Sequence, residues 1–118
     1  MAPHSNQHPN IVRISLGAER DLAAIYRRRS LQRGEGGPDG ADALLDTLVE
    51  AMESLGTFAG RGPVVHELDA IGIRDYRQIS VSPYRIIYHV EDSTVTVLLV
   101  ADSRRDFHTL LNERLLRS

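Results

Sequence analysis

Arg85 stands inside the segment YRIIYHV (residues 84–90), where Ile or Val would serve a strand better. Three further arginines lie close to it in the pattern: Arg77 in DYRQISV, and Arg104 with Arg105 in ADSRRD, where a β-rich run gives way to a helix. Arginine is a permanent cation with a planar fork of donors, suited to gripping phosphate or carboxylate but not to taking a proton. The chain has no lysine and no cysteine, so all fourteen cationic side chains are Arg. Schiff-base chemistry, thiol nucleophiles, disulfides and thiolate metal sites are excluded. Proton transfer is left to His, Asp, Glu or Tyr, and His89 and His108 are the histidines nearest the arginine motifs.

The elements that must position these residues follow from periodicity. IVRISL reads as a short strand. GAERDLAAIYRRRSLQR places Ala18, Leu22, Ile25 and Tyr26 at helical spacing, with Glu19 and Asp21 early and arginines late, as a helix dipole favours. GEGGPDG must end that helix. In DGADALLDTLVEAMESL, seven apolar residues from Ala41 to Leu55 form a second helical stripe, so a helical hairpin is expected. VVHEL reads as a strand, and DYRQISV, YRIIYHV and TVTVLLV form an antiparallel meander with turns at Ser82-Pro83 and Asp92-Ser93. SRRDFHTLLNERLLRS is a last helix, with Ser103 and Asp106 in capping-box spacing. The order is β-α-α-β-β-β-β-α, an α+β fold of one domain over 11–118 behind a tail at 1–10.

If Ser82-Pro83 is a two-residue turn, Val81 pairs with Tyr84 and the faces follow from period 2. Ile79, Val81, Tyr84, Ile86 and Tyr88 then share a core face, continued by Val95, Val97 and Leu99. Tyr76, Gln78, Ser80, Arg85, Ile87 and His89 occupy the opposite, open face. On that face Arg85 either pairs with an acid such as Asp75 or Glu67, or joins Arg104 and Arg77 in a cationic patch. His89 shares the face, but its Cα lies roughly 13 Å from that of Arg85, far for two groups acting on one phosphate.

The net charge of −2 and a pI near 6.2 argue against whole-protein attraction to nucleic acid. The charge is divided, however: residues 17–33 carry +3 and residues 34–60 carry −6. No apolar run is long enough to span a bilayer and the N-terminus lacks an apolar leader core, so a cytoplasmic protein is expected. His4 and His8 do not make a ligand set, and no metal or organic cofactor is implied.

DYRQISVSPYRIIYHVEDSTVTVLLVADSRRD, followed by an amphipathic helix, resembles the RelE/ParE superfamily of toxins from bacterial toxin–antitoxin modules. The likeness runs from IVRISLGAERDLAAIY to LLNERLLR and implies a helical hairpin packed on a twisted antiparallel sheet. Arg85 matches the arginine of the family's Tyr-Arg strand motif. Two activities are implied: RelE-like members cut mRNA on the ribosome, whereas ParE-like members poison DNA gyrase. Both are neutralised by a cognate antitoxin that wraps the toxin. In the nuclease branch lysines flank the arginine and the last helix supplies a tyrosine or a His-Tyr pair. Here those positions are Tyr76, Gln78 and Leu110, so a nuclease would have to rely on Arg85 and Arg104 with His89 or His108. The departures favour the ParE-like branch, a type II toxin that inhibits gyrase without chemistry of its own. A ribosome-dependent endonuclease and a non-toxic, antitoxin-binding relative are the alternatives. The gyrase contacts are then expected at Arg77, Arg85, Arg104 and Arg105, and an acidic antitoxin segment at Arg27, Arg28 and Arg29.

Overall fold

The computed structural model describes residues 10–116. The tail expected at 1–10 lies outside them except for Asn10, whose N–H donates to Gly56 O at 2.6 Å and so already belongs to the fold. Strand β1 (Ile11–Ile14) leads into helix α1 (Leu16–Arg33). Ser15 makes the junction abrupt: its hydroxyl accepts the Ala18 N–H at 3.1 Å and caps the first turn. Gly34 ends the helix at φ 76°, a left-handed conformation that glycine adopts without strain. The chain then returns as α2 (Ala41–Ser54).

The meander forms as β2 (Tyr76–Val81), β3 (Tyr84–Glu91) and β4 (Thr94–Asp102). Val81 pairs with Tyr84 across the first turn, and Glu91 pairs with Thr94 across the second. Asp92 takes φ 56° in that second turn, where Asp is among the few side chains that tolerate it. Strand order is β1-β4-β3-β2 with β1 parallel to β4, so the sheet is mixed and not wholly antiparallel. The parallel pairing is possible because the hairpin α1–α2 lies between β1 and the meander and supplies the crossover length.

Two sequence expectations are corrected. VVHEL does not form a strand: Val64 makes a single bridge to Arg77, and His66–Asp69 is one helical turn, α3. Val65 and Leu68 are both buried, a spacing of three that suits a helical turn better than a strand. The order is therefore β-α-α-α-β-β-β-α. The last helix starts later than Ser103, because the Ser103 N–H donates to Pro83 O and residues 103–105 form a turn. Asp106 caps α4 (Phe107–Leu111) by accepting the Thr109 N–H at 3.2 Å and its hydroxyl at 2.8 Å. A wider π-helical turn, Asn112–Leu116, follows.

The sheet separates two cores. The hairpin packs Leu22, Ile25, Leu48 and Met52 onto Ile79, Ile86, Tyr88, Val95 and Val97. On the other face α3 and α4 bring Leu68, Phe107, Leu110 and Leu111 onto Ile87, Leu99 and Ala101. Leu99 thus lies opposite to its expected face. The register shifts between Ile87 and Tyr88, so that Ile87 opposes Leu99 while Tyr88 opposes Val97, and Leu98 is left as the bulged residue. Among the described residues, no helix is long and apolar enough to cross a membrane.

Candidate functional site

Arg85 sits opposite Ser80 on β2 and Ala101 on β4, on the face that α3 and α4 cover. The expectation of an open face fails here: the Arg85 side chain is only 12 % exposed. Hydrogen bonds from Val65 N–H to Tyr76 O and from Gln78 N–H to Pro63 O hook residues 63–65 onto the edge of β2. That hook delivers Glu67, from α3, over the guanidinium. Arg85 NH1 donates to Glu67 Oε2 at 2.9 Å and NH2 to Oε1 at 2.8 Å, a two-pronged pair. Arg85 Nε and NH2 also donate to Gln78 Oε1, the Nε bond at 3.0 Å. The Phe107 ring closes the other side, its centroid 3.9 Å from Arg85 Cζ.

The hydrogen bonds from Arg85 hold the Glu67 carboxyl down to about 2, overcoming the opposing effect of burial. Both oxygens of the acid and most donors of the cation are therefore engaged. The cluster fastens α3 and α4 to the sheet. It resolves the two readings of Arg85 in favour of pairing with Glu67.

Arg104 is placed quite differently. It follows β4 in the exposed turn and folds back on Asp102, with Nε to Oδ1 at 2.9 Å and NH2 to Oδ2 at 2.6 Å. These bonds hold the Asp102 carboxyl well below the usual carboxylate range. The Arg104 side chain nevertheless stays 83 % exposed, and Arg105 beside it is exposed as well. Arg77 lies on the hairpin face, opposite Tyr88, and donates to Gly62 O at 2.6 Å. Arg77 and Arg85 are thus on opposite faces, and the cationic patch expected from Arg77, Arg85 and Arg104 does not assemble.

The histidines are also dispersed. His89 packs edge-on against Tyr76 with ring centroids 6.0 Å apart, and buried Ile87 separates it from Arg85 along the same face. His108 lines a cleft of ≈ 200 Å³ with Glu67, Ile71 and Asn112. His66, expected in a strand, is the exposed first residue of α3. Among the described residues, no group of three or more His, Asp or Glu could hold a metal ion. Of the expected antitoxin contacts, Arg27 and Arg28 are exposed on α1, while Arg29 reaches back to Asp39 O at 3.1 Å.

A second arginine clasp has no counterpart in the sequence reading. Strand β1 stops opposite Val97, and beyond it side chains take over. Asp21 Oδ2 accepts the Val100 N–H at 3.0 Å, and Arg114 pairs with both Asp21 oxygens at 3.0 Å while donating to Leu98 O. The Asp21–Arg114 pair spans 93 positions, a separation at which helical or strand periodicity carries no signal. The C-terminal segment is held at both ends, by Phe107 on Arg85 and by Arg114 on Asp21.

With this geometry, residues 12–107 match the family model described as the ParE toxin of the parDE type II toxin–antitoxin system. The chain belongs to this toxin family. Solved structures share its fold. A chain of the chromosomal ParDE toxin–antitoxin system from P. aeruginosa is 20 % identical with a TM-score of 0.64, covering 80 % of the toxin and 97 % of that chain. A chain of the RelBE2 toxin–antitoxin complex from Mycobacterium tuberculosis is 24 % identical with a TM-score of 0.54, covering 80 % and 91 % respectively. No curated protein matches the sequence significantly.

Proposed function

We propose that this toxin acts in the cytoplasm by binding and poisoning DNA gyrase, and that a cognate antitoxin neutralises it. The observation that carries the reading is the capture of Arg85 by Glu67. A phosphate-cleaving site needs a free cation beside a proton acceptor. Here the strand arginine is already neutralised, His89 packs against Tyr76 beyond Ile87, and His108 borders the cleft beside Glu67, the acid that holds the arginine. The head of the C-terminal segment remains as the display surface. Arg104 and Arg105 project from it, while Arg85 and Arg77 position the elements beneath. The exposed Arg27 and Arg28 suit an acidic antitoxin segment lying along the hairpin.

Purified toxin added to gyrase and plasmid is expected to abolish supercoiling and to trap DNA breaks, and antitoxin is expected to reverse both. No effect on gyrase, together with cleavage of ribosome-bound mRNA, would replace this reading with the endonuclease. His89 and His108 would then be the residues to substitute.

A further inference from the structure

Arg27 and Arg28 are both exposed on α1, but successive residues of a helix point about 100° apart. Arg27 borders the groove between α1 and α2, whereas Arg28 shares the stripe of Asp21, two turns earlier. That stripe follows the flank of β4. Where β1 stops, opposite Val97, α1 takes its place beside the sheet, and Asp21 Oδ2 accepts the Val100 N–H at 3.0 Å. Two turns on from Asp21 and two residues on from Val100, Arg28 and Asp102 are brought to the same end of β4. The Asp102 carboxyl registers both of its basic neighbours: it is held low by the hydrogen bonds from Arg104 and, through space, by the charge of Arg28.

Arg104 takes both Asp102 oxygens, so Arg28 adds its charge there without spending its donors. Arg105 belongs to the same turn, its N–H donating to Asp102 O at 3.0 Å and its side chain exposed. Of the two acids at this end, Asp102 is 13 % exposed and Asp106 is engaged by the Thr109 N–H and hydroxyl. The charge that faces solvent is therefore that of the arginines. A carboxylate-bearing segment is its complement, because arginine forks grip carboxylates through paired hydrogen bonds and the local charge draws a short acidic segment. A DNA duplex would in addition meet the repulsion of a net charge of −2 and of the acidic face of α2. We infer that Arg28, Arg104 and Arg105 form one surface across the end of β4, and that an acidic segment of the protein target seats on it. The identity of that target rests on the gyrase reading; the surface does not. An antitoxin engaged at Arg28 then excludes the target, since both need the same side chain.

Fluorescence anisotropy of a labelled octaglutamate peptide, titrated with the full toxin chain at low salt, tests the surface without gyrase. The wild-type chain should bind the peptide, and added salt should weaken the complex. Arg28→Glu and Arg104→Glu should each lower the affinity by about tenfold. Arg20→Glu, an equal change of charge at an exposed position near the start of α1, should stay within about twofold of wild type. Circular dichroism checks that each variant is folded. The same variants, immobilised, should rank gyrase binding in the same order. Peptide affinities in this order support the surface even where gyrase fails to bind the wild-type toxin, a result that would overturn the gyrase reading alone. A wild-type chain that does not bind octaglutamate would overturn the inference. So would equal losses from Arg20→Glu and Arg28→Glu, which would show net charge and not a surface at work. A short DNA duplex that binds more tightly than the peptide, and is released by Arg28→Glu, would overturn the acidic occupant in favour of phosphate.

Discussion

Arg85 and Arg104 both pair with carboxylates through two hydrogen bonds, yet they do opposite work. Arg85 reaches across 18 positions to Glu67, from a strand to a helical turn, and both side chains are nearly enclosed at 12 % and 15 % exposure. Arg104 reaches only two positions back, to Asp102, and stays in solvent. In the first pair the charges have left water, so each requires the other and their geometry fixes two elements to the sheet. In the second only the carboxylate is enclosed, at 13 % exposure, while the cation stays in solvent, which can take its place at Asp102; the pair contributes little to folding and leaves the cation on display. The same residue type is thus a fastening in one place and an exposed cation in the other. Burial and the origin of the partner decide which.

The comparison is broken most forcefully at Glu67. Glu67→Gln leaves the Arg85 cation enclosed without a counter-charge and should destabilise the fold by about 3 kcal/mol in urea titration. Replacing both partners, Arg85→Met with Glu67→Met, should recover most of that loss, because no unpaired charge remains. A double variant as unstable as Glu67→Gln would show that packing and not charge sets the cost.

A comparable effect is expected from acid. Glu67 has its folded value depressed from 4.5 to about 2. Its stabilisation is therefore fully present above pH 4.5 and is lost as pH falls towards 2. It amounts to roughly 3 kcal/mol at most, and less for the part of the side chain that solvent reaches. Urea midpoints between pH 6 and pH 2 should show this loss in the wild-type toxin, and the limb should be shallower in the double Met variant. The smallest effect is at the turn: Arg104→Ala should leave the urea midpoint unchanged.

Much of the hairpin side was legible in the sequence. Leu22, Ile25, Leu48 and Met52 sit where helical spacing puts them, and the pairing of Val81 with Tyr84 fixes Ile79, Ile86 and Tyr88 on the hairpin core. The covered face was harder, for a specific reason. A bulge at Leu98 displaces the register by one residue and carries Leu99 to the far side. The signal was present as a change in pattern: TVTV alternates, whereas LLVA is continuously apolar, as befits a strand covered on both faces. Glu67 was visible as a possible partner of Arg85. Phe107 above them was not, because the apolar stripe of the last helix does not say which face of the sheet it will meet. Asp21 and Arg114 are close only after both layers have formed.

The most direct test of the account compares two toxin variants in one gyrase assay scored by trapped DNA breaks. The double Met variant at Arg85 and Glu67, once shown to be folded, should still trap breaks. Arg104→Ala with Arg105→Ala, of unchanged stability, should lose that activity. The reverse, with activity lost from the folded Arg85 and Glu67 variant and kept by the Arg104 and Arg105 variant, would contradict the assignment of a fastening to one arginine and a contact surface to the other.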